Sequence, residues 1–267
     1  MGYDVQLART CAALGEVVPR LVALVRGITD ADAVSVGTWT VGDVAAHLSH
    51  AFRFDLDALA GRPVPEAVVT TAGMAELNAK LLADDGERDP EALADRLGAL
   101  ADEFDSAASR SRATSVDWLQ GVGLPPSAVA GHLLEECLMH GHDIARATGR
   151  PWPIDRHHAL LAIDGGVLPL IDALPAAFVK QGGFQGRFEV RLRGGRPMVM
   201  DFDRGRLRID AAGDGDVDAY ISTDPAALML LFIGRYGVAR PILEGDLAAW
   251  GRRPWKLAGM LAAISPP

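Results

Sequence analysis

The chain has 267 residues, a net charge of −9 and 49% hydrophobic residues, enough to bury one large core or two modest ones. The acidic balance excludes a nucleic-acid binder, which needs a basic face to replace phosphate counterions. Two cysteines, Cys11 and Cys137, exclude a disulfide framework and suit a reducing cytoplasm.

The N-terminal residues run straight into an amphipathic pattern with acidic residues, unlike a signal peptide. The most apolar window, residues 159–178, is broken by Asp164, Pro169, Asp172 and Pro175 and makes poor membrane material. These features predict a cytoplasmic protein with no membrane partner. Lysine is scarce beside abundant arginine, alanine and glycine, the bias of a GC-rich bacterial genome.

Leu7, Cys11, Leu14, Val18, Leu21 and Val25 recur at three and four residues and predict a first helix ended by Gly27. Thr40 caps the second, with Asp43 at N3 in a capping-box variant and Trp39 able to staple onto Val44. Its apolar face carries Val44, Leu48, Phe52 and Leu59, and Gly61 with Pro63 closes it. A short amphipathic segment follows near Met74, Leu77 and Leu81. The third long helix opens with Asp89 as cap and Pro90 at N1, and the fourth runs from about Pro126 to Gly149. Four long helices with short connections predict a four-helix bundle.

The second half changes character. A helical stretch spans about His157 to Ala177. Alternating patterns at Phe188–Leu192, Met198–Phe202 and Leu207–Ile209 then predict strands, with turns at Gly194-Gly195 and Arg204-Gly205. Residues 217–222 add a fourth strand. Thr223 or Asp224 caps a helix beginning at Pro225, and a last helix covers Pro254 to Ile264. The fold class expected is an all-α bundle over residues 1–150 followed by an α+β domain with an antiparallel sheet over 151–267.

The fourth helix carries the chemistry. Glu136 and His140 stand at i and i+4, with Cβ atoms about 5–6 Å apart on one face. At about 100° per residue, His132, Glu136, His140 and Asp143 form one polar stripe, and Glu135 points away from it. On the second helix His47 sits at the edge of the apolar face, while His50 lies farther toward solvent. His47, Glu136 and His140 make three ligands for one divalent metal, zinc first among zinc, nickel and iron, which such ligands all accept, with a fourth position open. The competing reading is a hydrogen-bonded structural histidine and a simple i,i+4 pair. Asp143 reads either as a carboxylate that orients a ligand or as a solvated surface acid. His132 reads as structural, Cys137 as a buried thiol, and His157 and His158 as exposed.

Two segments carry a resemblance. Residues 38–48, Thr-Trp-Thr-Val-Gly-Asp-Val-Ala-Ala-His-Leu, and residues 132–149, His-Leu-Leu-Glu-Glu-Cys-Leu-Met-His-Gly-His-Asp-Ile-Ala-Arg-Ala-Thr-Gly, resemble the mycothiol-dependent maleylpyruvate isomerase family of DinB-like metal enzymes. The resemblance implies that His47, Glu136 and His140 bind the metal. The stretches 218–228 and 242–250 are similar to a sterol-carrier-type domain, which accompanies many members. Members that isomerise maleylpyruvate use an arginine from that domain, and the resemblance points to Arg235, for which an exposed surface arginine is the alternative. The chain departs from its relatives at His142, where an aromatic residue is common.

The expected function is metal-dependent chemistry of a small thiol, mycothiol by resemblance, in S-transfer to an electrophile or its cis–trans isomerisation. The partners expected are therefore a small-molecule thiol and a small electrophile. Two alternatives use the same residues: a carrier for a hydrophobic ligand with a structural metal, and hydrolysis by a zinc-bound hydroxide.

Overall fold

A computed structural model describes residues 5–66, 70–119, 121–180, 182–213 and 215–264. In chain order, α1 (Val5–Arg26) leads through a hairpin of β1 (Val34–Val36) and β2 (Trp39–Thr40) into α2 (Val41–Leu59). Then follow α3 (Thr71–Asp84), α4 (Pro90–Arg110), a second hairpin of β3 (Val116–Leu119) and β4 (Val122–Leu124), and α5 (Pro126–Ala147). The linking stretch contains α6 (Arg156–Ala162), a π-helical segment Ile163–Val167 and α7 (Leu168–Ala173). The remainder is β5 (Gly186–Leu192), β6 (Met198–Asp203), β7 (Arg206–Ala211), β8 (Ala219–Thr223), α8 (Pro225–Phe232), α9 (Ala239–Leu243), β9 (Leu247–Trp250) and α10 (Lys256–Ala263).

Helices α1, α4, α2 and α5 pack in a ring, each against the next, which is the expected four-helix bundle. Their termini follow local chemistry. Thr40 and Asp43 form a complete capping box at α2, and Asp89 with Pro90 starts α4. Leu21, Val44, Leu48, Phe52, Leu93, Leu97 and Leu133 fill the centre and are almost fully buried. The two hairpins were not legible in the sequence, because runs of two to four residues are too short to show an alternating period.

Among the described residues the sheet of the second half has the order β7-β6-β5-β8-β9. It is antiparallel except for the pair β5 and β8. That pair becomes parallel because β7 lies on the far side of β6 and the chain returns across to the other edge of β5. Strand β9 and helix α9 escaped the sequence reading. The β6–β7 turn places Arg204 and Gly205 at φ 50° and 73°, a two-residue turn of the kind that matches strand twist.

The stretch expected as one helix over 157–177 is shorter and interrupted. Gly165 and Gly166 sit in the π-helical segment, and α7 stops at Ala173 ahead of Pro175. This segment joins the two cores. Leu161, Ala162 and Leu170 pack into the bundle, whereas Ile163 and Ile171 pack against the sheet. Helix α8 does the same, giving Met229 and Leu230 to one core and Leu228 and Leu231 to the other. A helix buried on both sides has no polar face to keep, which explains its unbroken apolar run. His158, expected at the surface, is 7% exposed and meets Glu16 on α1 at 3.2 Å, because α6 lies against the bundle.

Gly131 on α5 is where the linking segment comes closest. A Cβ there would lie 2.7 Å from the Gly165 carbonyl oxygen and closer still to other backbone atoms of Gly165 and Gly166. Gly131→Ala is therefore expected to destabilise by about 1–3 kcal/mol or more through overpacking against rigid backbone. Gly98 on α4 has nothing within 4 Å of the same position, so Gly98→Ala is expected to stabilise by up to about 1 kcal/mol through helix propensity. Urea midpoints of the two variants that shift in the same direction would contradict this pairing.

Candidate metal centre

The capping box sets where α2 begins and hence which way His47 points. Thr40 donates its backbone N–H to Asp43 Oδ2 at 2.9 Å, and the Asp43 N–H donates to Thr40 Oγ1 at 3.1 Å. Arg88 holds the other oxygen of Asp43 at 2.8 Å. Seven residues on, about two turns along the helix, His47 faces α5 across the bundle. Its ring lies 5.0 Å from that of Trp39 and 4.9 Å from that of His140.

On α5 the stripe 132, 136, 140 and 143 faces inward. Glu136 Oε2 is 3.1 Å from His47 Nε2 and 3.3 Å from His140 Nε2. One ligand atom from each of the three residues lies within 4.8 Å of the others. Asp143 is fully buried, and its Oδ2 lies 3.1 Å from His140 Nδ1. Arg235 reaches it from the turn after α8, donating from Nε to Oδ1 at 2.9 Å and from Nη2 to Oδ2 at 2.8 Å. The third nitrogen, Nη1, donates to the Ile233 carbonyl at 2.9 Å. Arg235 is thus partly buried and clamped to Asp143.

Burial opposes ionisation throughout, and neighbours decide the outcome. It depresses His47 even with Glu136 beside it. Glu136 suffers the same burial, but hydrogen bonds to His140 and His47 hold it well below the usual carboxylate range. For His140, Asp143 and Glu136 outweigh burial and raise the imidazole to about 9. Asp143 is held at about 2 by His140 and Arg235 against its burial.

This donor set fits a divalent cation. With the Nδ1 proton of His140 donated to Asp143, Nε2 faces the ionised Glu136 oxygen, and its lone pair becomes available when a bound cation displaces the proton between them. His47 Nε2 faces that same oxygen, and its Nδ1 is buried without a hydrogen-bond partner. Lone pairs and a carboxylate converging on one point repel each other unless a proton or a metal ion lies among them, and imidazole with carboxylate is a ligand set that zinc accepts.

Other residues surround this core. Asp55 on α2 is fully buried and accepts from Trp118 Nε1 at 2.9 Å, while His132 Nδ1 is 2.8 Å away. Asp55 outweighs burial at His132 and raises it to about 10. Asp55 escaped the sequence reading, although a lone acid between Phe52 and Leu59 on an apolar face was its signal. Glu135, expected to point away from the site, is buried at 8% exposure and lines another part of the cavity wall. Burial and the nearby Glu136 push it up to about 7. Cys137 is fully buried and its thiol is pushed well up by that burial, as suits an inert core residue. His142 lies off the stripe, its ring 5.9 Å from Tyr236.

His50 is half-buried at the cavity rim, its Nε2 2.9 Å from Asp85 Oδ2, and Arg96 binds the same oxygen. Partial burial works against ionisation of Asp85, but the bonds from His50 and Arg96 prevail and hold it at about 2. A carboxyl whose folded pKa is depressed stabilises the protein above its unfolded pKa, near 3.9, and loses that contribution as pH falls toward 2. Asp85→Asn is expected to cost about 1–2 kcal/mol at pH 7 and only a small part of that at pH 2. Unfolding curves for the two proteins that stay equally far apart from pH 7 to pH 2 would contradict this.

Residues 13–145 match the model for the mycothiol maleylpyruvate isomerase N-terminal domain, and residues 177–251 match the SCP-2 sterol transfer family. No curated protein matches the chain in sequence. Among solved structures, the crystal structure of the mycothiol-dependent maleylpyruvate isomerase matches with TM-score 0.55 and 15% identity, over 92% of this chain and 93% of that one. A histidine-to-alanine mutant of that isomerase matches with TM-score 0.56 and 14% identity over the same shares. At such identities the likeness speaks for the fold, which extends through both halves. The chain thus joins an N-terminal domain of the mycothiol maleylpyruvate isomerase family to a C-terminal domain of the SCP-2 sterol transfer family.

Proposed function

We propose that this protein is a divalent-metal enzyme that uses a small thiol, mycothiol by family, to transfer sulfur to an electrophile or to isomerise it from cis to trans. The observation that carries this reading is the convergence of His47 Nε2, Glu136 Oε2 and His140 Nε2 within 4.8 Å, at the wall of a cavity of about 430 Å3. A zinc ion held there would lower the pKa of a thiol so that it is present as the nucleophilic thiolate at neutral pH.

The residues divide the remaining work. Asp143 accepts the Nδ1 proton of His140 and fixes that ring's tautomer and direction. Arg235 is a positioning residue: its two parallel bonds hold the Asp143 carboxylate in one orientation. Trp39, Phe54 and Trp118 line the cavity and keep water from the nucleophile. The sulfur adds to an unsaturated carbon and the electron pair moves toward an adjacent carbonyl. Protonation at carbon gives the S-adduct. Rotation about the new single bond followed by loss of the thiolate gives the isomer. A carrier role gains no support from the core between α5 and the sheet, whose cavity of about 30 Å3 has room for water but not for an acyl chain.

Elemental analysis of the purified protein is expected to find about one equivalent of zinc or another divalent metal per chain, lost in His47→Ala and in Glu136→Ala. Asp143→Asn and Arg235→Gln are expected to lower the unfolding midpoint, because each leaves a buried partner unpaired, and to weaken metal binding by about 10–100-fold. Turnover is expected to require both metal and mycothiol. A metal-dependent rate that is unchanged by added thiol would move the assignment to hydrolysis, and a metal-free wild type would remove it altogether.

A further inference from the structure

The charges around the cavity restrict what the second substrate can be, an inference that rests on the thiol-dependent reading above. The cavity is walled mainly by apolar side chains, among them Trp39, Phe54, Leu77, Trp118, Met139 and Phe178. Among its described lining residues Arg235 is the one arginine or lysine. Arg235 spends two nitrogens on Asp143 and the third on the Ile233 carbonyl, so its charge is already balanced. Every other basic group on the wall has a carboxylate partner as well. His50 is 2.9 Å from Asp85, His132 is 2.8 Å from Asp55, and His47 and His140 share Glu136.

Glu135 adds a further acid to the lining. A divalent ion on the three ligands leaves the balance unaltered, because Glu136 and one thiolate equal its two charges. A dicarboxylate entering here gives up its hydration and meets no unpaired cation in return, which is the costly way to bury charge. An uncharged molecule loses little and gains apolar contact with the walls.

We infer that the second substrate is an uncharged, largely apolar unsaturated carbonyl compound, and that dicarboxylates are excluded. The maleylpyruvate in the name of the structural relative is a dicarboxylate, so this chain keeps the fold while its cavity suits a different acceptor. The sulfur–carbon bond forms as the alkene pair shifts to the carbonyl. The thiol's proton then ends on carbon in the adduct, or the sulfur leaves again with the isomer, and no oxidant or reductant is needed.

The test compares dimethyl maleate with maleate, using the metal-loaded protein and mycothiol. Adduct and fumarate isomer are both counted, and each rate is divided by that of the uncatalysed thiol reaction so that intrinsic reactivity cancels. The enhancement is expected to be at least about 100-fold greater for the ester. Calorimetry supplies a readout independent of turnover: 4-phenylbutan-2-one, an uncharged unreactive analogue, is expected to bind and succinate is not. Equal or larger enhancement for maleate, or succinate binding more tightly than the ketone, overturns the inference and leaves the thiol-dependent reading standing. No thiol-dependent turnover with either compound, together with ketone binding, removes that reading and supports the apolar site on its own. Failure of the ketone to bind overturns the inference whatever the kinetics.

Discussion

The interaction on which the site depends is the clamp of Arg235 on Asp143. A fully buried carboxylate is costly to desolvate, by several kcal/mol for an unpaired ion, and Asp143 is tolerable because two parallel bonds from Arg235 and one from His140 satisfy it. The partners belong to different halves of the chain. Asp143 and His140 lie on α5 in the bundle, whereas Arg235 follows α8, 92 residues away in sequence. Fixing the ring of His140 and joining the halves are therefore the same physical act.

From that clamp a line of alternating charge runs down α5. Arg235 meets Asp143, Asp143 meets His140, and His140 meets Glu136. Glu136 then approaches His132 at 3.5 Å, and His132 is held by Asp55 on α2. Steps of three and four residues keep all four α5 members on one face, and each carries the sign opposite to its neighbour. Such a row is stable only as a whole, since removing one member leaves the next buried and unpaired. It also explains why Trp118 from the β3–β4 hairpin turns its indole N–H inward: Asp55 has a second oxygen to satisfy.

Much of this is legible in the sequence, and the boundary is physical. The capping box, the helix periods and the i,i+4 pair are local, so spacing alone carries them, and the helical wheel puts Glu136, not Glu135, on the face of His140. What spacing cannot carry is what lies opposite. Glu135 points away from Glu136 and would face water on an isolated helix, but the linking segment and α8 cover that side of α5 and bury it. His158 passes from surface to interior for the same reason, as α6 lies on α1. The apolar window at 159–178 gave no hint that it would divide its side chains between two cores, because a π-helical turn at a Gly-Gly pair shifts the facing residues out of the α-helical period.

These long-range contacts also build the cavity. The bundle supplies His47, Glu136 and His140, but one wall of the cavity comes from Leu170, Leu174 and Phe178 of the linking stretch, together with Ile233 and Arg235 beyond α8. The three donors can thus keep their geometry while that wall changes in charge and shape, since the two are built by different parts of the chain. Their coupling is confined to the Asp143 clamp, and its demands are strict. An arginine that must neutralise a buried aspartate cannot also present a free charge to the cavity, so the bond that holds His140 in place also fixes the polarity of the space beside it.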